Sequence, residues 1–126
     1  YGIKPDWAGK KIEMPFYIYS NWICELASKI NGFKVGGIEF IPFVIILRKG
    51  ASEQLKNHET IHFKQQVECL FLFWYLIYLF NYLILRLKYK HYEAYKKICF
   101  EKESYQNERD LQYLKKRKMF SWIKYF

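Results

Sequence analysis

Two of the chain's three histidines fall in one pentapeptide, His58-Glu59-Thr60-Ile61-His62. On a helix, His58 and His62 stand one turn apart, at i and i+4, so both imidazoles can turn toward one metal ion. Glu59 follows the first histidine and can face a water polarised at that ion, which suits a carboxylate for removing the water's proton. The alternative is a pair of surface histidines on an unrelated helix. Background use of His and Glu makes a chance H-E-x-x-H rare in a chain of 126 residues. A catalytic zinc takes three protein ligands and keeps one position open. Beyond the motif, the third ligand can come from His91, Glu93, Glu101, Glu103, Glu108 or Asp110.

These groups need elements to position them. Residues 1–15 are polar and carry Gly2, Pro5, Gly9 and Pro15, which reads as loop. Residues 16–31 put Tyr19, Ile23, Leu26, Ala27 and Ile30 at helical spacing, with Ser20 or Asn21 as N-cap and Asn31-Gly32 as the stop. Residues 33–48 turn β-branched and aromatic from Ile38 to Leu47, as in a largely buried strand entered through Gly36-Gly37. Pro42 argues for an edge position or a bulge, and an edge strand there offers main-chain pairing to an extended peptide. After the turn at residues 49–52, Ser52 is a fitting N-cap for the motif helix, and no Gly or Pro follows. The rest of the chain is predicted to be nearly all helix, with Gln65 and Gln66 near the ligand face.

Residues 69–85 form an apolar run whose one strongly polar member is Asn81, with Tyr75, Tyr78 and Tyr82 inside it. The run sits at the lower limit for a membrane span. The site adds a geometric test. One straight helix from His62 to Lys88 would carry the chain about 39 Å from the metal, and a helical return to Glu101 recovers only about 20 Å. If a carboxylate near 101 is a ligand, the run must break. We expect the break near residues 72–74, followed by a second, antiparallel helix over 74–89, although no Gly or Pro marks it.

The segment Phe100-Glu101-Lys102-Glu103-Ser104-Tyr105 follows a helix predicted to begin near His91. On residue types alone it reads as a charged, solvated face. In order, though, H-E-x-x-H and then E-x-E-small on a later helix resembles the gluzincin group of zinc metallopeptidases. The pairing of His58-Glu59-Thr60-Ile61-His62-Phe63-Lys64-Gln65-Gln66 with Phe100-Glu101-Lys102-Glu103-Ser104-Tyr105 is similar to that of small uncharacterised bacterial metallopeptidase-like proteins. The likeness runs from about Gly36 to the C-terminus. It implies a minimal zincin-like helical domain. It also implies His58, His62 and Glu101 as zinc ligands and Glu59 as general base. Glu103 is the alternative ligand, but two residues on it points about 200° around the helix. Tyr105 stands where many gluzincins have an Asp supporting a ligand histidine. A tyrosine there can accept an imidazole N–H or stabilise an oxyanion. Asn107 and Glu108 are further candidates for ligand support, and His91 reads as structural.

The whole chain, residues 1–126, reads as one domain of mostly α (α+β) class, with a short strand or hairpin before the motif helix. It is 52% hydrophobic and 21% aromatic, too apolar for a disordered chain. The formal net charge of +9, with basic residues concentrated late, favours an anionic partner. No nucleic-acid-binding module is visible, and the aromatics cluster in apolar runs rather than among the lysines, so an anionic membrane surface is the better candidate. Together with the apolar run, residues 119–126 could serve as an interfacial anchor. Cys24, Cys69 and Cys99 lack paired spacing and read as reduced, buried thiols, which favours the cytoplasm, with membrane association. The chain starts at Tyr1, so a longer product is expected. The reading that gathers these features is a zinc metallopeptidase acting on a peptide or protein. The alternative is a non-catalytic zinc-stabilised, or membrane-surface, basic helical protein. Oligomeric state leaves no mark in the sequence.

Overall fold

Strand β1 (Phe16–Tyr19) opens the described chain and runs straight into helix α1 (Asn21–Asn31). The structure, a computed structural model, describes residues 15–41 and 43–126. The loop expected over residues 1–14 and the edge role of Pro42 lie outside them. The order continues with β2 (Gly37–Ile41), β3 (Val44–Leu47), α2 (Glu53–Glu68), α3 (Leu72–Arg86), α4 (His91–Lys97), α5 (Cys99–Asn107), α6 (Tyr113–Lys116) and a 3₁₀ turn at Ser121–Tyr125. Helix dominates and one three-stranded sheet accompanies it, so the α+β class with a hairpin ahead of the motif helix holds.

The sheet corrects two expectations. Residues 16–19 are not helical: β1 pairs in parallel with β3, Phe16 against Val44 and Tyr19 against Leu47. Ser20 then takes the N-cap position of α1, and Gly32 closes the helix in the left-handed conformation at φ 78°. The single strand expected over 33–48 is a hairpin, with β2 antiparallel to β3 and the register shifted between Ile38 and Ile41. The sheet order β1-β3-β2 makes β3 central and β2 an edge. Helices α1 and α2 both pack on β3, which explains why it reads as a continuous apolar run with Ile45, Ile46 and Leu47 all buried.

The Ser52 hydroxyl accepts the Leu55 N–H at 3.2 Å and caps α2, as expected. The apolar run does break, but at residues 69–71 rather than 72–74. Leu70 and Phe71 take positive φ values of 52° and 59°, and α3 leaves α2 at a bend of 111°. For non-glycine residues such angles cost about 1–3 kcal/mol each. Aromatic packing offsets this: the Phe71 ring lies 4.7 Å from Phe43 and 6.4 Å from Phe63. The bend makes α3 a steeply crossing helix rather than the antiparallel one expected. No single helix among the described residues is long and apolar enough to cross a membrane, although α2 and α3 pass that test as a bent pair.

The helical return is built as foreseen but in two pieces. Ile98, at ψ 135°, separates α4 from α5. The freed Cys99 N–H donates to Asn81 Oδ1 at 2.8 Å, so the lone polar residue of the apolar run caps the helix that carries Glu101. Trp74, Ile98, Cys99, Phe100 and Trp122 form the main core, and Ile45, Leu47 and Phe63 pack the sheet against α2. All three cysteines are free and buried.

Candidate metal centre

Helices α2 and α5 face each other across the core and bring His58, His62 and Glu101 together. Glu101 Oε1 lies 3.2 Å from His58 Nε2 and 3.0 Å from His62 Nε2. One donor atom from each of the three residues lies within 4.8 Å of the other two, and all three residues are buried. Tyr78 on α3 donates its hydroxyl to Glu101 Oε2 at 2.9 Å and fixes the carboxylate plane. Trp74 sets its ring edge-on to His62 at 5.9 Å.

The outer ring nitrogens are held as firmly as the inner ones. His58 Nδ1–H donates to Glu108 Oε2 at 2.7 Å, and Gln54 donates to the other Glu108 oxygen at 2.9 Å. Glu108, rather than Tyr105, therefore orients the first histidine. His62 Nδ1–H donates to Gln65 Oε1 at 2.8 Å. The orientation of that amide is fixed, because Gln65 Nε2 donates to Phe100 O and to Glu103 Oε1, both at 3.0 Å. These contacts give His58 and His62 the fixed orientation that a metal site requires of its histidines.

The hydrogen-bond pattern also states the charge of the cluster. Each imidazole faces Glu101 through Nε2 and, through Nδ1, Glu108 for His58 and Gln65 for His62, surroundings that favour the protonated ring. For His58, burial opposes that charge, but the bonds to Glu101 and Glu108 outweigh it and raise its pKa to about 10. His62 is raised as well: burial opposes, and the charge and hydrogen bond of Glu101 prevail. Glu101 is held far below the usual carboxylate range, since both histidines overcome the cost of burying it. A divalent cation held by neutral His58 and His62 would offset the charges of Glu101 and Glu108. The two separations from Glu101 Oε1, 3.2 and 3.0 Å, agree too, since donors about 2.0 Å from a tetrahedral ion lie about 3.3 Å apart. The residues present therefore fit a divalent metal.

Glu103 does not join the ligands. Fully buried, it accepts from Arg117 at 2.5 and 3.1 Å and from the Tyr113 hydroxyl at 2.6 Å. Arg117 also binds both oxygens of Glu68, at 2.8 and 2.9 Å. Glu103 is thus the anchor that locks Gln65, and through it His62. His91 is structural, as read: it bonds the Tyr82 hydroxyl and the Asn31 carbonyl.

Glu59 lines a cleft of about 100 Å³ with His58, Gly36, Gly37, Tyr95 and Tyr105. Burial raises its pKa against the lowering effect of the two histidines. Gly37 is required there, because a Cβ would sit 3.0 Å from Glu59 Cγ and 2.8 Å from Leu47 Cδ2. The Tyr105 ring packs edge-on against His58 at 4.5 Å, while its hydroxyl meets the Tyr95 hydroxyl at 3.2 Å. Tyr105 therefore touches the histidine with its ring and points its hydroxyl elsewhere in the cleft wall.

Sequence reasoning did not single out Glu39 or Tyr78. Glu39 is buried on β2, and neither of its carboxylate oxygens has a hydrogen-bond partner among the described residues; the nearby Gln66 donates to its backbone carbonyl instead. Burial and the charge of Glu59 raise the Glu39 pKa to about 9. The available signal was a lone acid in an otherwise apolar strand. For Tyr78 it was a hydroxyl inside an apolar run, which calls for a buried partner. Comparison with protein-family models, curated proteins and solved structures found no match to this chain.

Proposed function

We propose that this chain is a zinc-dependent peptidase. The observation that carries the reading is the convergence of His58, His62 and Glu101 from two helices beside a cleft lined by His58 and Glu59. A purely structural metal site has no use for a buried carboxylate beside its ligands and facing a cleft.

His58, His62 and Glu101 would hold the ion, with Glu108 and Gln65 fixing the two imidazoles. When bound, zinc polarises the scissile carbonyl and acidifies a water. Glu59, with its basicity raised by burial, takes a proton from the attacking water and passes it to the departing amine nitrogen. The O–H bond breaks as the C–O bond forms, and the C–N bond breaks as the amine is protonated. Tyr105 stays protonated at neutral pH because burial raises its pKa, and with its hydroxyl on Tyr95 it serves as cleft wall rather than as an oxyanion donor. The substrate is an extended peptide. It would pair with the edge strand β2 around Gly37 and Ile38, next to Glu59. Central β3, within the strand first assigned to substrate, has no open edge.

Metal content per chain tests the ligand set. Elemental mass spectrometry of purified wild type is expected to find about one zinc, as for any three-ligand site of this kind. His62→Ala and Glu101→Ala should each lose most of it. Full zinc occupancy in Glu101→Ala would remove Glu101 from the site, and a wild type that refuses zinc would end the proposal.

A further inference from the structure

Helix α3 has two faces of opposite duty. Trp74, Tyr78 and Tyr82 turn inward to the core and the metal cluster. Phe73, Leu76, Leu79, Phe80, Leu83 and Leu87 turn outward, and each is more than half exposed. Their spacing of three and four residues makes one continuous apolar stripe along the helix. No acidic residue lies anywhere in α3, and Arg86, Lys88 and Lys90 cluster at its C-terminal end. Scattered exposed apolar residues need no explanation, but an unbroken stripe of this length does.

We propose that the outer face of α3 docks on an anionic lipid bilayer, lying in its surface plane. The charge distribution selects that occupant. The chain carries 21 basic and 12 acidic residues. Four of the acids, Glu39, Glu59, Glu101 and Glu103, are withdrawn into the interior, so the surface is more basic than the composition. A second copy would bring another +9 to the same contact. Anionic headgroups instead neutralise the lysines at the end of the stripe while the acyl boundary receives the leucines and phenylalanines. The binding mode follows from length. The 15 residues of α3 span only about 22 Å, short of the roughly 30 Å hydrocarbon core, and the inward face is already committed to protein. The helix therefore lies down rather than crosses. The metal cluster, on its opposite side, is held about one helix diameter, roughly 10 Å, from the lipid surface. The docking rests on α3 alone and stands or falls separately from the peptidase reading.

Vesicle co-sedimentation of the full chain tests it, comparing phosphatidylcholine with mixed phosphatidylcholine–phosphatidylserine. Wild type should bind the mixed vesicles, and added salt should weaken the binding without abolishing it. Leu76→Glu with Leu83→Glu should weaken partitioning by about 100-fold or more, while circular dichroism stays unchanged because both positions are exposed. Phe80→Trp should shift its emission to the blue with vesicles and be quenched by brominated lipid. Equal binding by wild type and the double variant would reduce the contact to surface charge and overturn the proposal. So would absence of vesicle binding at low salt. A wild-type dimer that the double substitution dissociates, without lipid binding, would assign the face to a second copy instead.

Discussion

Zinc binding at this cluster should expel at least one proton, that of His58. His58 faces Glu101 and Glu108 through its two nitrogens, and His62 faces Glu101 and Gln65. Glu101 favours a proton on each inner Nε2, and a metal must replace any proton held there. The outer Nδ1 protons stay, because Glu108 and Gln65 still accept them. The sign follows from the raised pKa values. His58 keeps its inner proton until the pH approaches about 10, and His62 is shifted the same way. Between pH 7 and 8 apparent zinc affinity should therefore rise about 10-fold or more per pH unit, with at least the His58 proton leaving per ion. Isothermal titration calorimetry in buffers of different ionisation heat reads the number directly. A release near zero, or affinity that is flat across this window, would refute the charge assignment of the cluster. Loss of the metal-free protein's own stability as pH climbs toward 10 is the companion effect, since the raised histidines favour the fold below that point.

Two further predictions concern groups around the site. Arg117→Ala strands Glu103 and Glu68, which are 0% and 7% exposed as side chains, without their shared cation. Urea unfolding should show a loss of about 3–5 kcal/mol at neutral pH. Because Glu103 has a lowered pKa, its contribution fades as pH falls, and the gap between variant and wild type should narrow in acid. Glu39→Gln should stabilise the protein. With its pKa raised to about 9, Glu39 is protonated when folded and ionised when unfolded between pH 4.5 and 9, so wild-type stability falls across that window. The variant should lack this slope and gain about 2–4 kcal/mol near pH 7, and a loss of stability on substitution would contradict the reading.

What the sequence disclosed was largely what depends on local spacing. The i, i+4 histidines, the Ser52 cap and the Gly32 stop each follow from residue types within one turn, and each is present. The break in the apolar run was inferred from a distance argument. Its location was not, because Leu70 and Phe71 hold left-handed angles through contacts with Phe43 and Phe63, far off in sequence. Strand β1 was hidden for the same reason: Phe16, Ile18 and Tyr19 stay exposed and the pairing partner is remote, so nothing in four residues separates strand from helix. Residue types did not distinguish Glu101 from Glu103 either. The helix turn ensures that only one faces the histidines, but the assignment is made by Arg117 and Tyr113, which claim Glu103. Asn81 reads as a blemish in an apolar run until Cys99 supplies the N–H it caps.

The reaction itself turns on Glu59. Zinc-loaded wild type and Glu59→Gln should be incubated with a mixed peptide library and the products read by mass spectrometry. The account predicts new amide cleavages by wild type and their loss in Glu59→Gln, with zinc content equal in the two. Equal cleavage by both proteins, or none by zinc-loaded wild type, would contradict it.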